Sequence, residues 1–186
     1  MNNLKLLLAS ILTLTFLGCS DDNDDFTKEN LVDYYNIISY KSDKYVDLNN
    51  DKKTSTNLMD EIDILNKEEN FLEIRPNINI ISFNIPLTLI NYDYPSAPDG
   101  YANFVKYGFL TPTTLSDKVI VIKNNSYIES NYTGNVISKK NVSIENLKIL
   151  DNNRLSTTIT KSYYDFSTKQ WIELNIEVIF QECKID

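Results

Sequence analysis

No histidine occurs among the 186 residues of this chain. That absence excludes Ser-His-Asp and Cys-His nucleophile pairs and the usual zinc sites. Cysteine occurs only at Cys19 and Cys183. If Cys19 is modified, Cys183 stands alone, no intramolecular disulfide can form, and stability has to come from the core. Glycine is scarce, at four residues, whereas asparagine, lysine, isoleucine and tyrosine are abundant. That bias has the look of an AT-rich genome, so the tyrosine count carries no functional meaning by itself. Basic residues are nowhere concentrated in a run, and the net charge is −8. An acidic chain of this kind is a poor nucleic-acid binder and is repelled by an anionic membrane surface. The longest apolar run is too short to span a bilayer.

That run is nonetheless the most informative segment. Met1 to Lys5 carries one positive charge, Leu6 to Leu17 is apolar, and Gly18 precedes Cys19. This is the layout of a secretory signal peptide. The small residue before a cysteine makes it resemble a bacterial lipoprotein signal, with a departure from the common motif at Phe16. The resemblance implies cleavage after Gly18, acylation of Cys19 and anchoring to the outer membrane. One acyl chain binds a membrane only marginally, so a stable anchor implies several. Asp21-Asp22-Asn23-Asp24-Asp25 then places four carboxylates in five residues, a solvated tether. It resembles the acidic export signal of Bacteroidota lipoproteins, which implies display at the cell surface. Retention on the periplasmic face is the alternative.

The chain therefore divides into a signal at 1–18, an acylated start and acidic tether at 19–30, and a single domain at 31–186. Loss of the signal removes Lys5 and no acid, leaving 168 residues with a net charge of −9. That length suffices for one real core.

The domain reads as mostly strand. Tyr34 to Tyr40 is aromatic and β-branched. From Phe71 the apolar period is two, which predicts strands over Phe71–Arg75, Ile78–Ile85, Leu87–Asn91, Tyr101–Leu110, Lys118–Lys123, Tyr127–Tyr132, Val136–Lys139, Val142–Leu150, Leu155–Tyr164 and Trp171–Phe180. Pro76 and Pro86 are read as strand ends, Asp151-Asn152-Asn153 and Ser167-Thr168-Lys169 as turns. One short helix is predicted over Leu58, Met59, Ile62 and Leu65, capped by Thr56 or Asn57. The expected fold is all-β, an antiparallel up-and-down barrel of about eight strands. Its interior would include Ile120, Ile122, Ile159 and Ile176.

Two segments resemble small lipocalin-like lipoproteins of Bacteroidota. One is Tyr45-Val46-Asp47-Leu48-Asn49-Asn50-Asp51 with Ser55-Thr56-Asn57-Leu58 and Glu61-Ile62; the other is Tyr163-Tyr164-Asp165-Phe166 with Trp171. The chain departs from that pattern at Tyr35, where tryptophan is common, and at Lys52, where glycine is usual. The resemblance implies an eight-stranded barrel that can hold one small hydrophobic ligand.

Chemical constellations are few. Asp47, Asn49 and Asp51 occupy positions 1, 3 and 5 of a calcium loop, but Lys52 replaces the glycine and Leu58 the bidentate carboxylate, with Glu61 three residues late. A polar turn explains them, and no metal is assigned. Tyr92, Tyr94 and Tyr101 with Asp93 and Asp99 offer a sugar-stacking loop. Tyr163, Tyr164, Phe166 and Trp171 read as sheet-stabilising aromatics. Asp60-Glu61 and Glu68-Glu69 are sequence neighbours, which do not face each other across a substrate. No catalytic residue and no cofactor is expected. The expectation is a non-enzymatic module that binds a small apolar ligand. The alternative is a surface interaction or glycan-binding protein with a filled barrel or sandwich.

Overall fold

The computed structural model describes residues 31, 34–67, 71–90, 102–133 and 136–183. Eleven strands form one sheet: β1 (Tyr34–Val46), β2 (Ser55–Asn57), β3 (Leu72–Arg75), β4 (Ile80–Ile90), β5 (Ala102–Ser116), β6 (Val119–Ile122), β7 (Ser126–Thr133), β8 (Val136–Ile144), β9 (Leu147–Leu150), β10 (Arg154–Asp165) and β11 (Gln170–Glu182). Strands β6 and β7 are two halves of one stave broken at 123–125. Strands β8 and β9 are likewise halves of a stave broken at 145–146, since both pair with β10. The staves run β1, β3, β4, β5, β6–β7, β8–β9, β10 and β11, each antiparallel to the last, and β11 returns to pair with β1. This is a closed, eight-stranded, up-and-down barrel.

Alternation sets the interior. On β11, Leu174, Ile176, Val178 and Phe180 are buried, with Glu173, Asn175 and Glu177 between them exposed or at the surface. Ile120, Ile122, Ile159 and Ile176 are all buried in the core as expected. Strand β1 shifts register between Ile37 and Ser39. This bulge moves the inward face from Tyr35 and Ile37 to Tyr40 and Ser42, and it leaves Ile38 outside.

Asparagine supplies the left-handed backbone that scarce glycine does not. Asn50, Asn79, Asn152 and Asn153 all have positive φ, and the last two make the turn between β9 and β10. The short turns at 76–79, 117–118 and 151–153 share one end of the barrel. The segment 47–54 and the turn 166–169 share the other.

Three expectations shift. The strand break expected at 140–141 falls at 145–146, where β10 passes its pairing from β8 to β9. Pro86 lies inside β4 instead of ending a strand, because β4 pairs with β3 only as far as Phe83. In an antiparallel strand a residue's N–H and C=O point the same way. The Pro86 carbonyl points away from β5, so the missing N–H removes nothing from the β4–β5 ladder. The predicted helix shrinks to a turn at 58–61 and a four-residue 3-10 helix, Asp63–Asn66. Its start is held extended instead, because β2 pairs with β1 and the Leu58 N–H donates to the Tyr40 carbonyl at 2.8 Å. The segment thereby fills the seam beside β1 with Leu58, Ile62, Ile64 and Leu65.

Candidate functional site

Strand β10 alternates inward through Leu155, Thr157, Ile159, Lys161, Tyr163 and Asp165, all buried. Lys161 is thus carried into the interior on the same face as the aliphatic residues. On β7 the same period turns Tyr127 and Glu129 inward and leaves Ile128 exposed. Lys161 Nζ meets Glu129 Oε2 at 3.0 Å, with side chains 0% and 2% exposed.

A chain of hydrogen bonds continues from this pair. Lys161 Nζ donates to the Pro86 carbonyl at 2.6 Å and lies 4.4 Å from the centre of the Tyr163 ring. Tyr163 Oη donates to the same carbonyl at 2.7 Å. Its proton is thereby committed, so the 3.1 Å bond to Tyr40 Oη is donated by Tyr40. On the other side Tyr127 Oη reaches Glu129 Oε2 at 3.4 Å. Among the described residues the β4 edge beyond β3 has no strand partner there, which leaves the buried Pro86 carbonyl available.

Electrostatics follow from burial. Desolvation lowers the Lys161 ammonium from its ordinary value, and the Glu129 charge and hydrogen bond pull it back up. Burial raises the hydroxyls of Tyr40, Tyr127 and Tyr163, with Glu129 adding to each, so all three remain protonated donors. Thr88 shares the Pro86 face two residues on, and its buried Oγ1 has no hydrogen-bond partner. Its register partner Phe104 meets Tyr163 edge-on at 6.5 Å.

This half of the barrel has a side seam. After Lys123 donates to the Pro112 carbonyl, β7 leaves β5 and, among the described residues, pairs only with β8. Tyr127 bridges the gap by stacking on Phe109 and Tyr107, at 4.8 and 5.0 Å between ring centres. Tyr107 is 38% exposed. An aromatic wall thus separates solvent from a charged pair.

The sequence candidates are distributed differently. Asp47 and Asp51 come near Glu61 at the loop-bearing end. The aromatic cluster splits: Tyr164 packs on Phe166 and Trp171, while Tyr163 turns inside to Tyr40. Cys19 and the loop holding Tyr92, Tyr94, Asp93, Asp99 and Tyr101 lie outside the described residues. Glu68-Glu69 does as well. Burial, then the Glu182 charge, pushes the Cys183 thiol up, the opposite of an activated nucleophile. Two outer grooves, of about 250 Å³ over β9, β10 and β11 and about 350 Å³ over β1, β2 and β11, share Thr158 and Glu177, and neither is lined by Lys161, Glu129, Tyr40 or Tyr163.

Asp165, which the sequence reading passed over, ties the loop-bearing end together. It accepts from the N–H groups of Asp47 and Ser167 at 2.9 and 3.1 Å and from the hydroxyls of Ser167 and Thr168 at 2.8 and 2.7 Å. Desolvation would raise its carboxyl, but these bonds outweigh it and hold the group below its ordinary value. No family model matches the chain, and no curated protein or solved structure matches it either.

Proposed function

We propose that the chain is a lipoprotein, acylated at Cys19 and anchored in the outer membrane, whose lipocalin-like barrel binds a small, mostly apolar molecule with a polar head. One observation carries the reading: a fully desolvated Lys161–Glu129 pair, hydrogen-bonded into a tyrosine cluster, stands inside the barrel behind an aromatic seam. Such a pair is no better for stability than well-packed aliphatic residues. Buried ionisable groups with a specific charge partner are candidates for function. The Thr88 hydroxyl, buried without a partner, offers one further hydrogen bond to a ligand head. Tyr107, Phe109 and Tyr127 offer the apolar body a surface to slide past. Tyr34 begins β1 at the short-turn end, so a tether from Cys19 would leave the loop-bearing end facing away from the membrane.

The test is native mass spectrometry of the full chain, extracted in detergent from the envelope of its own host. The expected result is a covalent acyl increment on a chain beginning at Cys19, plus a non-covalent mass that denaturation removes. An unmodified N-terminus overturns the anchor. A clean protein mass overturns the ligand and supports the second reading, a surface interaction or glycan-binding protein. The dense aliphatic filling around Ile159, Ile176 and Phe180 favours that alternative.

A further inference from the structure

The first connection of the barrel reads Asp47-Leu48-Asn49-Asn50-Asp51-Lys52-Lys53. It folds tightly, with Asn50 at φ 63° and Lys52 at φ 72°. Lys52 therefore adopts the left-handed turn that glycine usually supplies at the sixth position of a calcium loop. Asp47 Oδ2 accepts the Lys52 N–H at 3.2 Å, Asn49 Oδ1 the Asp51 N–H at 3.0 Å, and Asp51 Oδ1 the Lys53 N–H at 2.8 Å. These bonds alone would describe a polar turn.

Two observations go beyond a turn. Asp47 is 1% exposed, and its Oδ1 is buried with no hydrogen-bond partner. A carboxylate oxygen removed from water and given no donor is strongly disfavoured unless something positive meets it. Glu61 is also folded back onto the same segment. It is 3% exposed, and its Oε2 accepts the Leu48 N–H at 2.9 Å. Three carboxylates thus accept backbone N–H groups of one loop, Glu61 from Leu48, Asp47 from Lys52 and Asp51 from Lys53, while Lys52 directs its ammonium to the Asn50 side chain.

We infer that Asp47, Asn49, Asp51 and Glu61 bind a divalent cation, calcium in preference to magnesium. Glu61 supplies the carboxylate that Leu58 cannot, and the Lys53 carbonyl stands at the backbone-ligand position of such a loop. Among the described residues no three acidic groups already form a ready metal site. Binding must therefore draw the exposed Asp51 carboxylate inward. A loop that adjusts in this way suits calcium, with its irregular shell of six to eight oxygens. Magnesium demands a near-ideal octahedron. The ion would fasten the loop to the turn that carries Glu61. Asp47 is already fixed to the barrel through Asp165, so the loop-bearing end would stiffen as a unit. This inference is independent of the ligand proposed above.

The test is calorimetric titration of the EDTA-treated mature chain with CaCl₂ and with MgCl₂. The expected result is one calcium per chain, with a dissociation constant of about 10⁻⁴ to 10⁻³ M, the range of extracellular modules, and weaker magnesium binding. Asp51→Asn should weaken calcium binding by about tenfold or more. Asp51 is exposed, so this variant keeps the fold even if Glu61→Gln, the second variant, does not. Absence of binding at about 10 mM calcium, well above that range, overturns the inference. So does equal affinity for magnesium. Binding that Asp51→Asn leaves unchanged also overturns it, and assigns the ion to the acidic tether.

Discussion

Glu129→Ala should destabilise the barrel by about 3–5 kcal/mol, the cost of breaking a buried ion pair by removing one partner. The substitution deletes few atoms. Its effect comes from Lys161, which would keep a fully buried ammonium with the Pro86 carbonyl as its remaining hydrogen-bond acceptor in the cluster. The lysine must then either carry an uncompensated charge or fold in its neutral form, and both are unfavourable. Replacing both residues, Lys161→Met with Glu129→Leu, removes the charge and fills the space. That double variant should be as stable as the parent or more so, by about 1–4 kcal/mol. Urea unfolding followed by circular dichroism measures both. A loss below about 1 kcal/mol for Glu129→Ala is what exposed pairs give, and it would show that water reaches this one.

Phe83→Ala should cost about 3–5 kcal/mol for a different reason. Phe83 is 1% exposed and meets Phe180 edge-on, with ring centres 6.5 Å apart. Phe83 is on β4 and Phe180 on β11, so the contact spans the interior instead of following one hairpin. Truncation loses the transfer free energy of the ring and leaves a cavity that strands pinned on both sides cannot collapse. Ile128, on the outer face of β7 and 58% exposed, is the control. Its alanine variant should stay within about 0.5 kcal/mol of the parent. Equal effects at the two positions would contradict the assigned inner face.

Much of the barrel was legible because strand period and burial are one fact. The alternation from Ile172 to Phe180 and the turn at Ser167-Thr168-Lys169 made the last hairpin legible. Its register runs from Arg154↔Gln181 to Asp165↔Gln170. Pro86 misled, since a proline stops a strand only where its N–H would have been used, and that depends on which edge a neighbour covers. The helix expected over 58–65 misled for a related reason. Its apolar spacing was real, but β1 competed for the Leu58 N–H. The interior pair was half visible. Lys161 has the same parity as Leu155, Ile159 and Tyr163, which is an alarm in a half-buried strand. Its partner Glu129 lies 32 residues away, and which acid answers a buried lysine is decided by sheet order. Asp47, Asn49 and Asp51 have the spacing of a calcium loop, but Lys52 and Leu58 made a polar turn the reading from sequence. The return of Glu61 onto them depends on the turn after β2, which no local spacing encodes.

On the proposed function, the Lys161–Glu129 pair is kept for a ligand and not for the fold. The most direct test is native mass spectrometry of the Lys161→Met, Glu129→Leu double variant, expressed in its own host and compared with the parent chain. The expected result is a folded protein that has lost the non-covalent mass carried by the parent. The same bound mass on both proteins would contradict it, because the ligand would then owe nothing to the buried charges.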